Sequence, residues 1–152
     1  MPGAGKTICS AILVDDLMTH FEEKPDVGIG YLYCNFNRQG EQRAQDLLSS
    51  LVMHLCKKRT SVPVAVKDLY KRYKTAPMRP RFGDVSKALT FVIALYSKVL
   101  IVIDALDECE TTCRTRFLGE IGKIHAGPGA NVFATSRPTE RNSFSGVDWF
   151  II

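Results

Sequence analysis

Apolar residues along the chain change period several times, and each change marks an element. Ile8, Ala11, Ile12, Met18 and Phe21 fall at helical spacing and predict a helix over residues 5–23. KPDVG ends it. GIGYLYCNF, residues 28–36, is rich in aromatic and β-favouring residues and is bounded by glycine and by NRQG, which predicts a strand. The clearest amphipathic pattern lies at 41–59, where Ala44, Leu47, Leu48, Leu51, Val52, Leu55 and Cys56 repeat at helical intervals, so one face packs inward. A shorter helix carries Val66, Leu69, Tyr70 and Tyr73 and stops at TAPMRPRFG, a loop by its prolines and glycine. Val85, Ala88, Leu89, Val92, Ile93 and Tyr96 mark another helix.

VLIVI, residues 99–103, is apolar at every position. Such a strand is covered on both faces, as in a parallel sheet flanked by helices. Phe117, Leu118, Ile121 and Ile124 predict a helix after it, HAGPGAN a break, NVFATS a further strand and VDWFII a last one. Alternating strands and helices with crossover-length connections predict one three-layer α/β domain over residues 1–152, with a mainly parallel sheet.

Composition narrows the function classes. At 152 residues, 45% hydrophobic, the chain buries a continuous core without a metal or disulfide staple. No apolar run approaches the roughly 20 residues that span a bilayer, and the N-terminus lacks a signal-peptide pattern, so the expectation is a cytoplasmic chain with no membrane role. Cysteines 9, 34, 56, 109 and 113 are odd in number, and at least three fall in apolar stripes, where reduced cysteine acts as a small hydrophobe. Cys109 and Cys113 lack the second pair or histidine that a zinc site needs. His20, His54 and His125 have no partner pattern and read as structural. The net charge of +4 is concentrated in residues 57–81, with nine Lys or Arg against Asp68 alone. Without interleaved stacking aromatics and glycines this reads as a solvated helix face and loop, and argues against a nucleic-acid partner.

Three motifs carry candidate chemistry. PGAGKT fits the end of a phosphate-binding loop, in which glycines let backbone N–H groups surround phosphates at a helix N-terminus. Gly3, Ala4, Gly5, Lys6, Thr7 and Ile8 would cradle a nucleotide, Lys6 reaching the β and γ phosphates and the Thr7 hydroxyl binding Mg²⁺. The first glycine of the pattern would fall just before Met1, so PGAGKT alone also fits an ordinary glycine-capped helix start. In IVIDALDECE, Asp104 closes a buried apolar strand at the sheet rim where α/β proteins bind ligands, and can hold Mg²⁺ through its water shell. Asp107 and Glu108 follow in the turn, placed to orient and deprotonate an attacking water, although an acidic helix start would also explain them. NVFATSRP ends a strand in Thr135, Ser136 and Arg137, where Arg137 could stabilise charge developing on a γ-phosphate.

PGAGKT, IVIDALDECE and ATSRP, in that order with YLYCNF between the first two, resemble the NACHT-type nucleotide-binding module, in particular the nephrocystin-like N-terminal version of fungal NLR-like receptors, across essentially the whole chain. The resemblance implies a P-loop NTPase core of the ASCE and STAND type. Bound ATP or GTP with Mg²⁺ would switch a signalling protein between closed and self-associating states, and slow hydrolysis would reset it. By motif, Gly3 to Thr7 with Ile8 would be the phosphate loop, Thr7 and Asp104 the metal ligands, Asp107 and Glu108 the water-activating acids, and Arg137 the sensor arginine. Ala105 stands where the family often has glycine, a small-for-small change. The resemblance also implies a first strand ahead of PGAGKT, inserted between the strands that end at Asp104 and Ser136. Its absence predicts a gap in the sheet and a truncated chain, without the subdomains that follow such cores. The alternative is a non-catalytic fragment serving as an interaction module. A small-molecule P-loop kinase fits less well, because the acid pair of DALDE suits water activation.

Overall fold

The computed structural model describes residues 4–34, 43–75, 79–126, 130–136 and 150–151. Helix α1 (Ala4–His20) leads into strand β1 (Val27–Tyr33), helices α2 (Ala44–Lys57), α3 (Val64–Tyr73) and α4 (Phe82–Ala94), and strand β2 (Lys98–Asp104). A 3-10 turn, Leu106–Glu108, then leads to α5 (Thr111–Ala126), β3 (Ala130–Ala134) and the two-residue β4 (Phe150–Ile151).

The strands form one sheet in the order β1-β2-β3-β4, parallel throughout. β2 is the apolar run VLIVI with one residue added at each end, and Val99 and residues 101–104 of it are buried. Its register sets Tyr33 beside Asp104 on one side and Ile103 beside Ala134 on the other. The predicted gap between the strands ending at Asp104 and Ser136 does not exist. β2 pairs directly with β3 from Val99↔Ala130 to Ile103↔Ala134, so each strand satisfies ladder groups that an inserted strand would otherwise have taken.

Alternation along the strands separates two helical layers. Val99, Ile101 and Ile103 of β2 and Val132 and Ala134 of β3 share one hydrophobic core with Leu51 and Leu55 of α2, Leu89 and Ile93 of α4, and Phe117 and Ile121 of α5. Asp104 belongs to the other face, where Ser10 of α1 meets it. The expected three-layer α/β arrangement results. α3 adds no buried residue and lies outside against α4, so Tyr70, expected on an apolar stripe, is exposed. Tyr73 does connect, donating to Asp84 Oδ2 at 2.6 Å.

α1 forms where expected, but rotated. The stripe that predicted it runs along its outer side: Ile8, Ile12 and Met18 are 60%, 56% and 52% exposed. Of residues 8–20, Ser10 and Val14 are buried and Leu13 and Leu17 half-buried; of the predicted stripe, Phe21, just past the helix, is half-buried. A polar anchor on the sheet selects the face of the helix over its apolar count.

Beyond α1, the chain is held at the start of β1 by Lys58, whose ammonium donates to the carbonyls of Phe21, Lys24 and Val27 at 2.7, 2.8 and 3.0 Å. At least this part of the basic stretch is structural. On the outer edge of β1 the Tyr31 N–H donates to His54 Nδ1 at 3.3 Å, and the imidazole stacks on the Tyr31 ring with centroids 4.3 Å apart.

Gly28 and Gly30 let β1 approach the helical layer closely. A Cβ at Gly28 would lie 3.0 Å from Leu55 Cδ2 and 3.0 Å from the Tyr96 ring, whose hydroxyl is tied to the Leu55 carbonyl. At Gly30 it would meet Leu51 Cδ2 alone at that distance. Gly28→Ala is expected to lower stability by about 1–2 kcal/mol, as overpacking against a pinned ring does. Gly30→Ala is expected to cost less, because a leucine methyl moves more readily. Urea unfolding of the two variants checks the order.

Candidate functional site

Asp104 is the centre of the candidate site. It ends β2 at 2% exposure, a position a carboxylate holds only with hydrogen-bond partners. Ser10 Oγ donates to its Oδ1 at 2.8 Å and Thr135 Oγ1 donates to the same atom at 2.6 Å. The Thr135 hydroxyl in turn accepts the Ala105 N–H at 2.9 Å, and its carbonyl accepts the Leu106 N–H at 2.9 Å. From the β1 side the Cys34 N–H donates to the Asp104 carbonyl at 3.0 Å. Helix, both neighbouring strands and the turn after β2 thus converge on one residue.

α1 runs antiparallel to the strands. Its C-terminus passes the chain to the start of β1, and its N-terminal half reaches the end of β2 at Ser10. The backbone of Ala4, Gly5, Lys6 and Thr7 forms the first turn of this helix. Lys6 and Thr7 precede Ser10 by one turn, about 4.5–6 Å along the axis. Ile8, assigned to the same loop, points into solvent. Gly3 and Arg137 lie outside the described residues.

The turn after β2 carries the acid pair. Ala105 is left-handed, with φ 56° and ψ 46°, the one positive-φ residue other than glycine among those described. The small-for-small replacement of glycine is therefore not neutral: a Cβ in that region costs about 1–2 kcal/mol. Leu106 is fully buried and pins the turn to the core. Asp107 and Glu108 are half-buried in the 3-10 turn and precede α5, so they do not form its first turn.

Several neighbours of the site have no local signature. Ser10 sits in a helix whose apolar pattern pointed elsewhere. Tyr33, opposite Asp104 in the register, has its phenol pKa raised by burial and then by the Asp104 carboxylate. Cys34, Cys109 and Cys113 are all buried free thiols near the turn. The Cys34 and Cys109 sulfurs are 2.7 Å apart. Their contact, together with burial, holds the Cys34 thiol protonated, whereas the same contact lowers the Cys109 pKa. Burial pushes Cys113 up to about 11.

Among the described residues no group of three or more His, Cys, Asp or Glu side chains is arranged to hold a metal. Asp104 is the one buried carboxylate among the described residues; Mg²⁺ in general keeps several waters and takes one or two carboxylates plus phosphate oxygens. A cavity of about 280 Å³ lies apart from these groups, against Ile29, Tyr31, His54 and Lys57. Among the described residues no helix is long and apolar enough to cross a membrane.

A family model described as Nephrocystin 3, N-terminal matches residues 1–137. No curated protein and no solved structure matches the chain.

Two substitutions probe this geometry. Thr135→Val removes a hydroxyl that bridges Asp104 and the Ala105 N–H, and is expected to lower stability by about 2 kcal/mol, the scale of a lost bond to a charged group. Ala105→Gly relieves the left-handed Cβ and is expected to raise stability by about 0.5–1 kcal/mol, after the greater freedom of glycine in the unfolded chain is subtracted. Chemical denaturation measures both.

Proposed function

This chain belongs to the Nephrocystin 3, N-terminal family, and from that premise we propose that it is a nucleotide-binding core of the P-loop kind, taking ATP or GTP with Mg²⁺. The observation that carries the reading is the Ser10–Asp104 hydrogen bond, which joins the helix that begins with Gly5, Lys6 and Thr7 to the acidic end of β2. In this reading the backbone at residues 3–7 receives the phosphates at the start of α1, where free N–H groups and the helix dipole favour negative charge. Lys6 contacts the β and γ phosphates. Thr7 and Asp104 hold the metal, whose role when bound is to neutralise charge on the phosphates.

Asp107 and Glu108, half-buried one turn beyond Asp104, orient and deprotonate the attacking water. Arg137 follows the Thr135–Ser136 tip and stabilises charge on the transferred group. The finer assignment is part of the same proposal: a NACHT-type module of the STAND class, cytoplasmic, whose slow hydrolysis resets a switch and whose parent protein self-associates.

A second reading, an interaction module without turnover, is favoured by one feature, the outward Ile8, Ile12 and Met18 on α1. Calorimetric titration with MgATP and MgGTP separates the two. Saturable binding is expected, and Lys6→Ala is expected to weaken it about tenfold or more, the scale of one charge-assisted contact, with an unchanged circular dichroism spectrum. A folded chain that binds neither nucleotide at millimolar concentration would leave only the interaction module, and undiminished binding by Lys6→Ala would remove that lysine from the site.

A further inference from the structure

We propose that Cys34 and Cys109 form an oxidative modification site, a thiol pair that a small peroxide converts reversibly into a disulfide between the end of β1 and the turn after β2. The two sulfurs lie 2.7 Å apart although 75 residues separate them in sequence. Both residues are fixed by main-chain bonds in the reduced protein: the Cys34 N–H donates to the Asp104 carbonyl at 3.0 Å and the Cys109 N–H to the Leu106 carbonyl at 3.2 Å. An S–S bond measures about 2.0 Å, so closure asks for under an ångström of approach.

The surroundings favour a small oxidant. Cys34 and Cys109 are 5% and 4% exposed, a burial that disfavours attack on bulky disulfides and makes a small peroxide the oxidant of choice. The Cys109 sulfur, as thiolate, attacks one peroxide oxygen, breaking the O–O bond. The released hydroxide takes a proton and leaves as water, and Cys109 becomes a sulfenic acid. Cys34 then attacks the Cys109 sulfur. The S–S bond forms, the sulfenic hydroxyl departs with the Cys34 proton as a second water, and two electrons have passed from the sulfurs to the peroxide. A dithiol reverses the change by exchange.

Cys113 is buried in the first turn of α5, four residues after Cys109, and is the competing partner, while Cys9 is exposed and reports oxidation of an unpaired thiol. The proposal needs only the two sulfurs and stands apart from the nucleotide reading. Its structural effect is to tie the turn that carries Asp107 and Glu108 to the end of β1.

The test uses the whole chain, reduced, desalted and treated with a small excess of hydrogen peroxide, followed by intact mass and non-reducing peptide mapping. The expected result is a loss of about 2 Da, a linked peptide pair containing Cys34 and Cys109, and recovery on adding dithiothreitol. Cys113→Ser should keep the linked pair, and Cys34→Ser and Cys109→Ser should each lose it. If either of the latter fails to fold, mapping in the unsubstituted chain decides alone. Oxidation of Cys9 without any Cys34–Cys109 pair, or a bond formed instead between Cys109 and Cys113, overturns the proposal.

Discussion

Everything near the end of the sheet is arranged around one carboxylate oxygen. Asp104 Oδ1 accepts a hydroxyl from α1 and another from the residue that follows β3, at a site with 2% exposure. A charge so placed is tolerated because fixed hydroxyl partners satisfy it. The Ser10 bond sets which way α1 faces and keeps its N-terminal half over the strand ends, while the Thr135 bond ties the acid to the end of β3. Position of the helix and satisfaction of the acid are therefore a single constraint, shared by elements far apart in sequence.

The turn beyond Asp104 follows from that constraint. Thr135 holds Ala105 and Leu106 through its hydroxyl and its carbonyl, so the chain leaves β2 through a left-handed residue and re-enters the core at Leu106. Strained backbone persists where surroundings over-determine it, and such positions gather at functional sites. Here the strain leaves Asp107 and Glu108 half-buried beside the strand end, neither sunk into the core nor released to solvent.

How much could be read beforehand depended on whether a feature was local. α2 and β2 were legible because their burial is one-sided or complete, and period alone records that: Leu47, Leu48, Leu51, Val52 and Leu55 are all buried, as their spacing required. Asp104 was legible because an acid closing an apolar run is unusual. The orientation of α1 was not, since a serine counts as polar in any pattern and its partner lies 94 residues away. The direct β2–β3 pairing was likewise invisible, because strand order is a matter of long-range ladders. α3 showed the opposite failure: its spacing is helical, yet its apolar residues cover a neighbour from outside without being enclosed. Cys34, in an apolar strand, and Cys109, in the polar stretch DECETTC, gave no sign of each other until the sheet brought their sulfurs together.

The border of the sheet at β1 has its own safeguard. A strand with no neighbour beyond it, as β1 is among the described residues, offers backbone groups to any extended chain that drifts by. One of these, the Tyr31 N–H, is occupied by a lone pair on the His54 ring, and that ring is kept neutral first by its burial and then by the charge of Lys57. Protonation in acid consumes that lone pair and turns the acceptor into a donor. The imidazole is thus a stopper that works only while it carries no charge, and acid strong enough to protonate it would uncork the margin it protects and invite strand-to-strand clumping.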